Sequence, residues 1–388
     1  MKKINNDVVQ SVVNVLHKER LFRYDCNQVE DSEVAVLEKK FSNYVGSTYG
    51  IAMNSCSSAL FVSLLCAGIK QGDKVAIPAF TFIAVPSAIV HANAQPVLIE
   101  IDENYVLDLD DFENKIQEGD VKALMLSYMR GRVPDLDKVI HLCKKYNVIL
   151  IEDSAHSLGV LWKGKQTGTL GLAGAYSAQS YKMIDGGEGG LMVTNNRNVA
   201  FKAMLYAGCY EANWKKHFGT EGAESELLKL ANTLPAYNFR MSNLSAAVLL
   251  PQLEHVEKRV DRMNANYFKL AAILSVSKYI RIPKFTEGVR PAADSMQWEF
   301  IGLSYQKIDE IKTELNEAGI KVEVFTGGNA RSFWNWTYFK QNEECLFTKD
   351  LVQRTADFRL SAYLTDSDIE VMGNKILEVI ELHGEKNV

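Results

Sequence analysis

The sequence 174-GAYSAQSYKMIDGGEGGLMVT-194 carries the strongest structural signal in this chain. Two β-rich runs, Gly174–Ala178 and Leu191–Asn195, flank a segment in which Lys182 precedes the glycine-rich run 186–190. Glycines on both sides of a glutamate indicate a backbone that turns tightly or lies close to another group. The pattern predicts a lysine just beyond the end of a strand, where a flat ligand can be held. A solvated lysine before a glycine-rich hairpin explains the same residues equally well.

Outside this stretch, short β-rich runs alternate with helical stretches between residues 49 and 195. Several runs are apolar almost throughout, as expected for strands that helices cover on both faces of a mostly parallel sheet. The seven predicted strands are Gly50–Asn54, Lys74–Pro78, Pro96–Ile101, Ala123–Ser127, Val148–Glu152, Gly174–Ala178 and Leu191–Asn195. We therefore predict an α/β fold with a mostly parallel seven-stranded sheet sandwiched by helices, followed by a smaller C-terminal α+β domain.

Helical periodicity marks three further regions. The segment Ser57–Gly68 begins with serines that suit an N-cap and ends on a glycine that suits the C′ position. The segment Ser242–Ile273 predicts one long helix or two. Apolar residues at helical spacing near the N-terminus indicate an amphipathic helix rather than a signal peptide. We assign residues 1–255 to a large domain and residues 256–388 to a small one.

The composition excludes several classes of protein. The chain has 388 residues, a net charge of −5 and no basic block, so nucleic acid is not an expected partner. No run of about 18 apolar residues occurs, so no membrane span is expected. The six cysteines are scattered without a C-x-x-C pair, which predicts reduced thiols in a cytoplasmic protein rather than disulfides or a metal site.

A second segment with chemical potential is 149-ILIEDSAHSLG-159. A buried strand ends there on Asp153, and His156 follows. A carboxylate at the carboxyl end of a parallel strand lies where open α/β sheets bind ligands. Helix capping explains Asp153 as well, and His156 alone is typical of a satisfied histidine at the rim of a core.

A third segment runs from Asn54 to Leu60 and places Ser57 and Ser58 at a helix start after a strand. Free backbone N–H groups and the positive end of the helix dipole meet at such a point and bind phosphate. An ordinary N-cap explains the serines equally well. Together, the three segments bring a phosphate cradle, an acid and a lysine to one sheet.

The order and spacing of the motifs resemble those of the DegT/DnrJ/EryC1/StrS family of sugar aminotransferases. The matching motifs are SCSSAL (55–60), PAFTFIA (78–84), EDSAHSLG (152–159), YSAQSYK (176–182), GGEGG (186–190) and NFRMSNLSAA (238–247). The resemblance extends from about Leu21 to about Leu253 and is weaker beyond. It implies the aspartate-aminotransferase-like fold type I, the cofactor pyridoxal 5′-phosphate, and transfer of an amino group, expected from glutamate, to a keto or aldehydo sugar.

The resemblance also implies catalytic roles for three residues. Lys182 would hold the cofactor as a Schiff base and, once released, would move the proton between the substrate carbon and the cofactor. Asp153 would pair with the pyridine nitrogen and keep it protonated. His156 stands where the family places Gln or His beside the 3′-oxygen of the ring.

Further cofactor contacts follow from the same resemblance. Phe82 would stack on the ring, and Gln179 lies near the lysine in the same pocket. The residues that would hold the phosphate are Ser57, Ser58 and Ser177. Asn238 would reach the phosphate in the neighbouring subunit, so the resemblance implies a homodimer with shared active sites.

The chain departs from the family in ways that concern the acceptor sugar. The small domain reads VFTGGNAR over residues 324–331, where members acting on nucleotide-linked keto sugars carry a Pro-Leu-His type segment. Arg130 and Arg132 lie in a loop that follows a strand, so their side chains could face the pocket. A solvated surface loop accounts for them too. The run Leu21–Asp25 and the Trp-rich region 333–338 look like the branch that aminates C8 of a keto-octulosonate for lipopolysaccharide. We therefore predict an acidic sugar whose carboxylate meets Arg23, Arg130 or Arg132.

Three alternative functions stay open. The first is an aminotransferase acting on a nucleotide-linked keto sugar. The second is a pyridoxamine-dependent sugar dehydratase, in which a histidine replaces the lysine and clustered cysteines hold iron and sulfur in some members; Lys182 and the scattered cysteines argue against it. The third is a non-catalytic cofactor-binding regulator, against which the retained Lys182, Asp153 and serines argue.

Overall fold

The structure, a computed structural model, describes residues 4–325, 330–341 and 344–385. Its strands are β1 (Tyr49–Met53), β2 (Lys74–Pro78), β3 (Gln95–Ile99), β4 (Val121–Ser127), β5 (Ile149–Asp153), β6 (Leu161–Trp162), β7 (Lys165–Gln166), β8 (Ala173–Ser177), β9 (Gly190–Thr194), β10 (Ile280–Arg281), β11 (Val289–Arg290), β12 (Ser295–Phe300), β13 (Val322–Val324) and β14 (Thr355–Arg359).

The helices are α1 (Asn6–Lys18), α2 (Glu33–Val45), α3 (Cys56–Cys66), α4 (Ala84–His91), α5 (Leu109–Ile116), α6 (Leu136–Lys145), α7 (Arg197–Tyr206), α8 (Glu224–Ala231), α9 (Asn243–Leu253), α10 (Val256–Leu274), α11 (Tyr305–Glu317), α12 (Leu346–Gln353) and α13 (Asp366–Glu385). Short 3₁₀ turns lie at Val29–Asp31, Met129–Gly131, Asn213–Lys216 and Phe333–Asn335. None of the helices in these described ranges has both the length and the apolar character needed to cross a membrane.

The central sheet has seven strands in the order β1-β9-β8-β5-β4-β2-β3. The pairs that β9 forms with β1 and β8 are antiparallel, and the other pairs are parallel. Each of the seven predicted strands is present, with ends that differ from the prediction by at most two residues. The predicted α/β fold with a mostly parallel seven-stranded sheet is therefore confirmed.

Apolar residues cover the sheet on both faces, which explains why its strands read as nearly continuous apolar runs. One face packs against residues of α2, α5, α6 and α9, with Phe41, Phe112 and Leu249 fully buried among them. The opposite face packs against α3, α4 and α7. Since the parallel strands point the same way, their carboxyl ends meet at one edge of the sheet.

The C-terminal part forms a separate antiparallel sheet in the order β10-β12-β14-β13. Its core includes Leu270 of α10, Ile308 of α11 and Ile376 of α13. The predicted smaller α+β region is thus present, while the boundary between residues 255 and 256 stays a prediction. The segment Ser242–Ile273 consists of two helices, α9 and α10, and the predicted N-terminal helix is α1.

Candidate active site

Three neighbouring strands place polar residues at the carboxyl edge of the central sheet. Strand β4 ends at Ser127, β5 at Asp153 and β8 at Ser177. Ser127 is paired with Asp153 in the register between β4 and β5. The Ser127 hydroxyl donates to Asp153 Oδ2 at 2.7 Å, and the Ala155 N–H donates to Oδ1 at 3.1 Å. The strand ends thus fix the orientation of one carboxylate.

Asp153 is buried, with 5% of the residue exposed. A nearby cation would therefore stabilise its ionised carboxylate. Burial raises the pKa of Asp153 above its ordinary value, against the opposing effects of the Ser127 and Ala155 hydrogen bonds and of the charge of Lys182. A protonated ring nitrogen beside Asp153 would stabilise the ionised form and so return the pKa toward its ordinary range.

Lys182 lies in a tight turn that follows β8. Its backbone N–H donates to Gln179 O at 3.1 Å, and Tyr181 within this turn has a φ of 76°. Lys182 Nζ lies 2.9 Å from His156 Nε2. Burial lowers the pKa of His156 well below its ordinary value, and nearby cations lower it further. The neutral ring therefore accepts a hydrogen bond from the Lys182 ammonium through Nε2.

Lys182 itself is poised to lose its proton near neutral pH. Burial lowers the pKa of Lys182 to about 8; Asp294 and Asp153 oppose this shift, and Arg359 adds to it. The amine becomes a nucleophile once it is neutral, so this pKa suits covalent attachment to an aldehyde. His156, held neutral beside it, does not stabilise the charged form as a carboxylate would.

We expect Lys182 in the cofactor-free protein to react with acetic anhydride with a midpoint near pH 8. The neutral form predominates above the pKa, so acetylation should rise through pH 8 rather than near the ordinary lysine value of about 10.4. Competitive labelling followed by peptide mass analysis measures this midpoint, with the exposed lysines of the same digest as the reference. A midpoint near pH 10 for Lys182 would show that burial does not lower its pKa, and would contradict this prediction.

The start of α3 has the character of a phosphate-binding site. Ser55 is the N-cap, and its hydroxyl accepts a hydrogen bond from the Ser58 N–H at 3.1 Å. The N–H groups of Cys56 and Ser57 have no acceptor among the described residues, and Ser57 is exposed. An added Cβ at Gly190 would lie 2.3 Å from the Ser55 carbonyl oxygen, so only glycine allows β9 to approach this helix start so closely.

The remaining predicted cofactor residues lie around this edge with accessible side chains. Phe82 follows β2 and is 41% exposed, so its ring is accessible to a ligand and is not part of the hydrophobic core. Ser177 lines a small cavity together with His156. Gln179 and Asn238 are exposed. The predicted contacts of these residues with a ring and a phosphate stay predictions.

The structure does not bring Arg23 to the other site residues, in contrast to the predicted contact with an acceptor carboxylate. The guanidinium is 2% exposed and donates to both carboxylate oxygens of Glu38, at 2.7 and 2.9 Å. His217 Nδ1 lies 3.1 Å from Arg23 Nη2. Arg23 therefore belongs to a buried ion pair that joins distant parts of the chain.

We expect Arg23→Met to lower the free energy of unfolding by about 3–5 kcal/mol, because it strands the buried Glu38 carboxylate. Burial raises the pKa of Glu38, but the charge of Arg23 overrides this effect, and the pKa falls to about 2. The contribution is thus present at neutral pH and is lost as the pH falls from about 4.5, the ordinary value, toward 2.

Urea unfolding at several pH values measures this loss. Arg20→Met is the matched control, since Arg20 pairs with Asp31 at 3.2 Å on the surface and should change stability by about 1 kcal/mol or less. Equal stability changes for the two variants would show that the buried pair has no structural role.

Arg132 is also held by internal contacts away from the other site residues, contrary to its predicted role. It is 2% exposed and donates through Nη1 to the carbonyls of Pro283 and Lys284, each at 3.2 Å. Its Nη2 donates to the Tyr267 hydroxyl at 3.0 Å, and the guanidinium stacks 4.3 Å from the Phe285 ring centroid. These contacts anchor the loop after β4 on the C-terminal region.

Of the three predicted arginines, Arg130 is the one whose charge affects the pKa of a site residue, His156. It is 3% exposed, has a φ of 57°, and donates to the Asp357 carboxylate. Its charge contributes to lowering the pKa of His156. Burial lowers the pKa of Arg130 to about 10. Its Nε and Nη1 have no hydrogen-bond partner in the described part of the chain.

Three residues of the site were not predicted. Ser127 ends the predicted strand that lies beside the strand carrying Asp153. The order of the strands in the sheet would have been enough to predict that the two side chains are neighbours. Asp294 and Arg359 come from the C-terminal region and affect the pKa of Lys182. No local sequence signal marks these two, because their position depends on how the C-terminal sheet packs against the large one.

Comparison with known proteins supplies the family. The signature of the DegT/DnrJ/EryC1/StrS aminotransferase family matches residues 4–377. The chain belongs to this family. The predicted family is therefore confirmed. Aminotransferases of the DegT/DnrJ/EryC1/StrS family use pyridoxal 5′-phosphate and its amino form, in agreement with the predicted cofactor. The match also extends far beyond Leu253, where the resemblance in the motifs weakens.

Individual proteins similar to this chain include a curated relative and solved structures. GDP-perosamine synthase of Caulobacter vibrioides is 32% identical over 229 residues, which are 58% of this chain and 58% of that protein. The chain thus spans little more than half the length of the curated relatives it matches. Among solved structures, 3-amino-5-hydroxybenzoic acid synthase superposes with a TM-score of 0.84 at 20% identity, covering 98% of this chain and 97% of that one.

A second solved structure is PseC of Helicobacter pylori, an aminotransferase involved in the biosynthesis of pseudoaminic acid. It superposes with a TM-score of 0.82 at 18% identity, covering 98% of this chain and 97% of that one. At this level of identity the likeness concerns the fold alone. It confirms the aspartate-aminotransferase-like fold type I that the motifs predict.

The residues present fit pyridoxal phosphate. Asp153 provides a buried carboxylate for the ring nitrogen. The N–H groups of Cys56 and Ser57, which have no acceptor among the described residues, suit a phosphate. Phe82 presents an exposed ring, and Lys182 provides an amine whose pKa lies near neutrality. When bound, the cofactor supplies a conjugated ring that withdraws electrons from the substrate carbon. Lys182 would hold the cofactor through its amine and could serve as the base that moves the proton at that carbon.

Proposed function

We propose that this protein is a pyridoxal-phosphate-dependent aminotransferase that moves an amino group, expected from L-glutamate, to the carbonyl carbon of a sugar. The observation that supports it most directly is the partly buried Lys182 amine, which lies 2.9 Å from a neutral His156 and on the same sheet edge as the Asp153 carboxylate. Lys182 attaches the cofactor and moves the proton, while Asp153 holds the charge on the ring nitrogen.

The test of this proposal begins with the purified protein and pyridoxal phosphate. A visible absorbance band that forms with the cofactor and bleaches on addition of L-glutamate, with release of 2-oxoglutarate, supports the aminotransferase. A cofactor band that no amino donor changes favours the non-catalytic regulator instead. The pyridoxamine-dependent dehydratase is the less favoured enzyme, since Lys182 stands where such enzymes carry a histidine. The described residues also contain no group of three or more His, Cys, Asp or Glu that could bind a metal.

For the acceptor, we favour an acidic sugar without a nucleotide, of which a keto-octulosonate for lipopolysaccharide is the specific candidate. Arg130 supports this choice, because it supplies a fixed positive charge near His156. The atypical sequence 324–331 supports it too, although residues 326–329 of that stretch lie outside the described part of the chain. Arg23 and Arg132 do not support an acidic acceptor, because internal hydrogen bonds hold both side chains.

A nucleotide-linked keto sugar is the second candidate acceptor. It is favoured by the 32% identity to GDP-perosamine synthase. The two candidates are separated by presenting the purified pyridoxamine form with acidic keto sugars and with GDP-, UDP- or dTDP-linked keto sugars, and reading the aminated product by mass. Preference for a nucleotide-linked sugar would overturn the acidic acceptor and leave the aminotransferase in place.

We further propose a homodimer in which Asn238 completes the phosphate site of the partner subunit. The exposed Asn238 and the 79% exposed Tyr181 beside the lysine support a partner at this face. Mixing Lys182→Ala with Asn238→Ala subunits should restore activity, since one of the two sites in each mixed dimer then has both residues. No restoration, although mixed dimers form, would contradict shared sites.

A further inference from the structure

The loop that carries Lys182 lies directly on helix α9. Residues 178–186 form a closed loop, because the Gly186 N–H donates to the Ala178 carbonyl at 2.8 Å. A Cβ added at Gly186 would lie 3.1 Å from Leu249 Cδ2, so the loop and the helix are in close contact. The position of the Lys182 amine therefore depends on how firmly this helix holds the loop.

Gln252, near the C-terminal end of α9, binds the main chain of the loop at a single residue. The Asp185 N–H donates to Gln252 Oε1 at 3.0 Å, and Gln252 Nε2 donates to the Asp185 carbonyl at 2.7 Å. Nε2 also donates to the Val248 carbonyl, one helical turn earlier, at 2.8 Å. Because an amide has one accepting end and one donating end, these partners allow only one orientation of the side chain. Gln252 is 7% exposed, so water has little access to these bonds.

Arg259 of α10 adds a second contact with the same loop. Its Nη1 donates to the carbonyl of Met183, the residue directly after Lys182, at 2.7 Å. The same Nη1 donates to Gln252 Oε1 at 3.4 Å. Ile184, between the two main-chain contacts, is fully buried in the core. The three residues that follow the lysine are thus held by the two helices and the core together.

The loop is also constrained from within, on both sides of the lysine. Asp185 Oδ1 accepts hydrogen bonds from the Gly187 N–H at 3.0 Å and from the Ser180 hydroxyl at 3.3 Å. Tyr181, directly before Lys182, has a φ of 76°. A bulky residue adopts this left-handed conformation only where its surroundings impose it. The hydrogen bonds between the loop and the two helices supply such a constraint.

We infer that Gln252 is a positioning residue, which holds the Lys182 amine at the edge of the sheet by binding the Asp185 main chain. Arg259 supports it by binding both the loop and the Gln252 amide. The inference rests on the proposed function for the role of Lys182, but the placement of the amine can be measured without turnover. Placement matters because a displacement of about 1 Å can lower a rate about 100-fold.

Competitive acetylation of the cofactor-free protein tests the placement of the amine. Gln252→Leu keeps a side chain of similar size but removes both the donor and the acceptor. The loop should then loosen and Lys182 should gain access to water. The pH midpoint of Lys182 acetylation should rise from about 8 by about one pH unit or more, toward the ordinary lysine value of about 10.4. Labelling is carried out under conditions in which circular dichroism shows a folded variant.

Asn316→Leu is the matched control, because Asn316 of α11 binds the main chain of one residue in the same pattern. The Val322 N–H donates to Asn316 Oδ1 at 3.0 Å, and Asn316 Nδ2 donates to the Val322 carbonyl at 3.3 Å. This amide lies in the C-terminal region and makes no contact with the lysine loop among the described residues. The control should leave the Lys182 midpoint unchanged.

Single-turnover kinetics of the loaded enzyme give a second readout. At saturating L-glutamate, Gln252→Leu should lower the rate about 10- to 100-fold. The half-saturating concentration of L-glutamate should change little, since the amine and not a substrate contact is displaced. Gln252→Glu, which also serves if Gln252→Leu does not fold, still accepts from the Asp185 N–H but cannot donate to the Asp185 carbonyl. Its rate should lie between those of wild type and Gln252→Leu.

A shifted Lys182 midpoint, or a lower rate at an unchanged half-saturating concentration, supports the inference. Wild-type values of both quantities in both Gln252 variants overturn it. An equal shift of the Lys182 midpoint in Asn316→Leu also overturns it, because the effect would then be a general loosening of the fold. Failure of the proposed function gives a different result: the wild type reacts with no amino donor, while the Lys182 midpoint still responds to Gln252→Leu.

Discussion

Lys182→Ala is expected to lower turnover by at least about three orders of magnitude while leaving the fold and cofactor binding intact. In the proposed function the Lys182 amine is both the attachment point and the base, and it lies beside His156 at this edge of the sheet. The substitution removes a partly buried cation whose partner, His156, is neutral. The buried Asp153 loses the nearby charge of Lys182, but it keeps the hydrogen bonds from Ser127 and Ala155, so stability should change little.

Steady-state kinetics measure the loss, and absorbance spectra measure cofactor binding through Asp153 and the start of α3. Lys165→Ala is the matched control, since Lys165 is an exposed lysine of the β6–β7 hairpin. Turnover of Lys182→Ala within tenfold of wild type would contradict the assigned role, whatever the control shows.

Asp153→Asn is expected to lower the rate by about 10²- to 10⁴-fold, far more than it lowers cofactor affinity. An amide of the same shape keeps the position that the Ser127 and Ala155 hydrogen bonds define, but it cannot hold a positive charge on the ring nitrogen. The charge matters most while electrons move into the ring, so the transition state loses more than the ground state.

The measurement pairs the rate at saturating donor with the dissociation constant of pyridoxal phosphate. Asp110→Asn in the first turn of α5 is the control for a change of net charge, because Asp110 is exposed. A rate near that of wild type, or losses of rate and cofactor affinity that are equal, would contradict a role centred on the transition state.

Local patterns were sufficient to predict the central sheet. Strand β2 is apolar almost throughout and bounded by turn residues, so its limits could be read from its residues. The end of β5 at Asp153 and the glycines after Lys182 likewise mark positions along the chain. The carboxyl ends of parallel strands meet by geometry, which is why the sequence could bring these residues together.

Contacts between distant segments could not be predicted in this way. Arg23 pairs with Glu38 and lies beside His217, which is 194 residues away, so nothing in the local sequence distinguishes a buried ion pair from a substrate contact. Arg132 was misplaced for the same reason. Arg359 was missed because its place at the site depends on the packing of β12 and β14 against the large domain.

The central claim is that Lys182 carries the cofactor, and borohydride reduction of the loaded enzyme tests it most directly. Reduction makes the bond between the lysine and the cofactor permanent, and peptide mass mapping then locates the modified residue. The structure predicts that the label lies on Lys182 alone and is absent from Lys182→Ala. A label on any other lysine, or cofactor-dependent turnover without a labelled lysine, would contradict the claim.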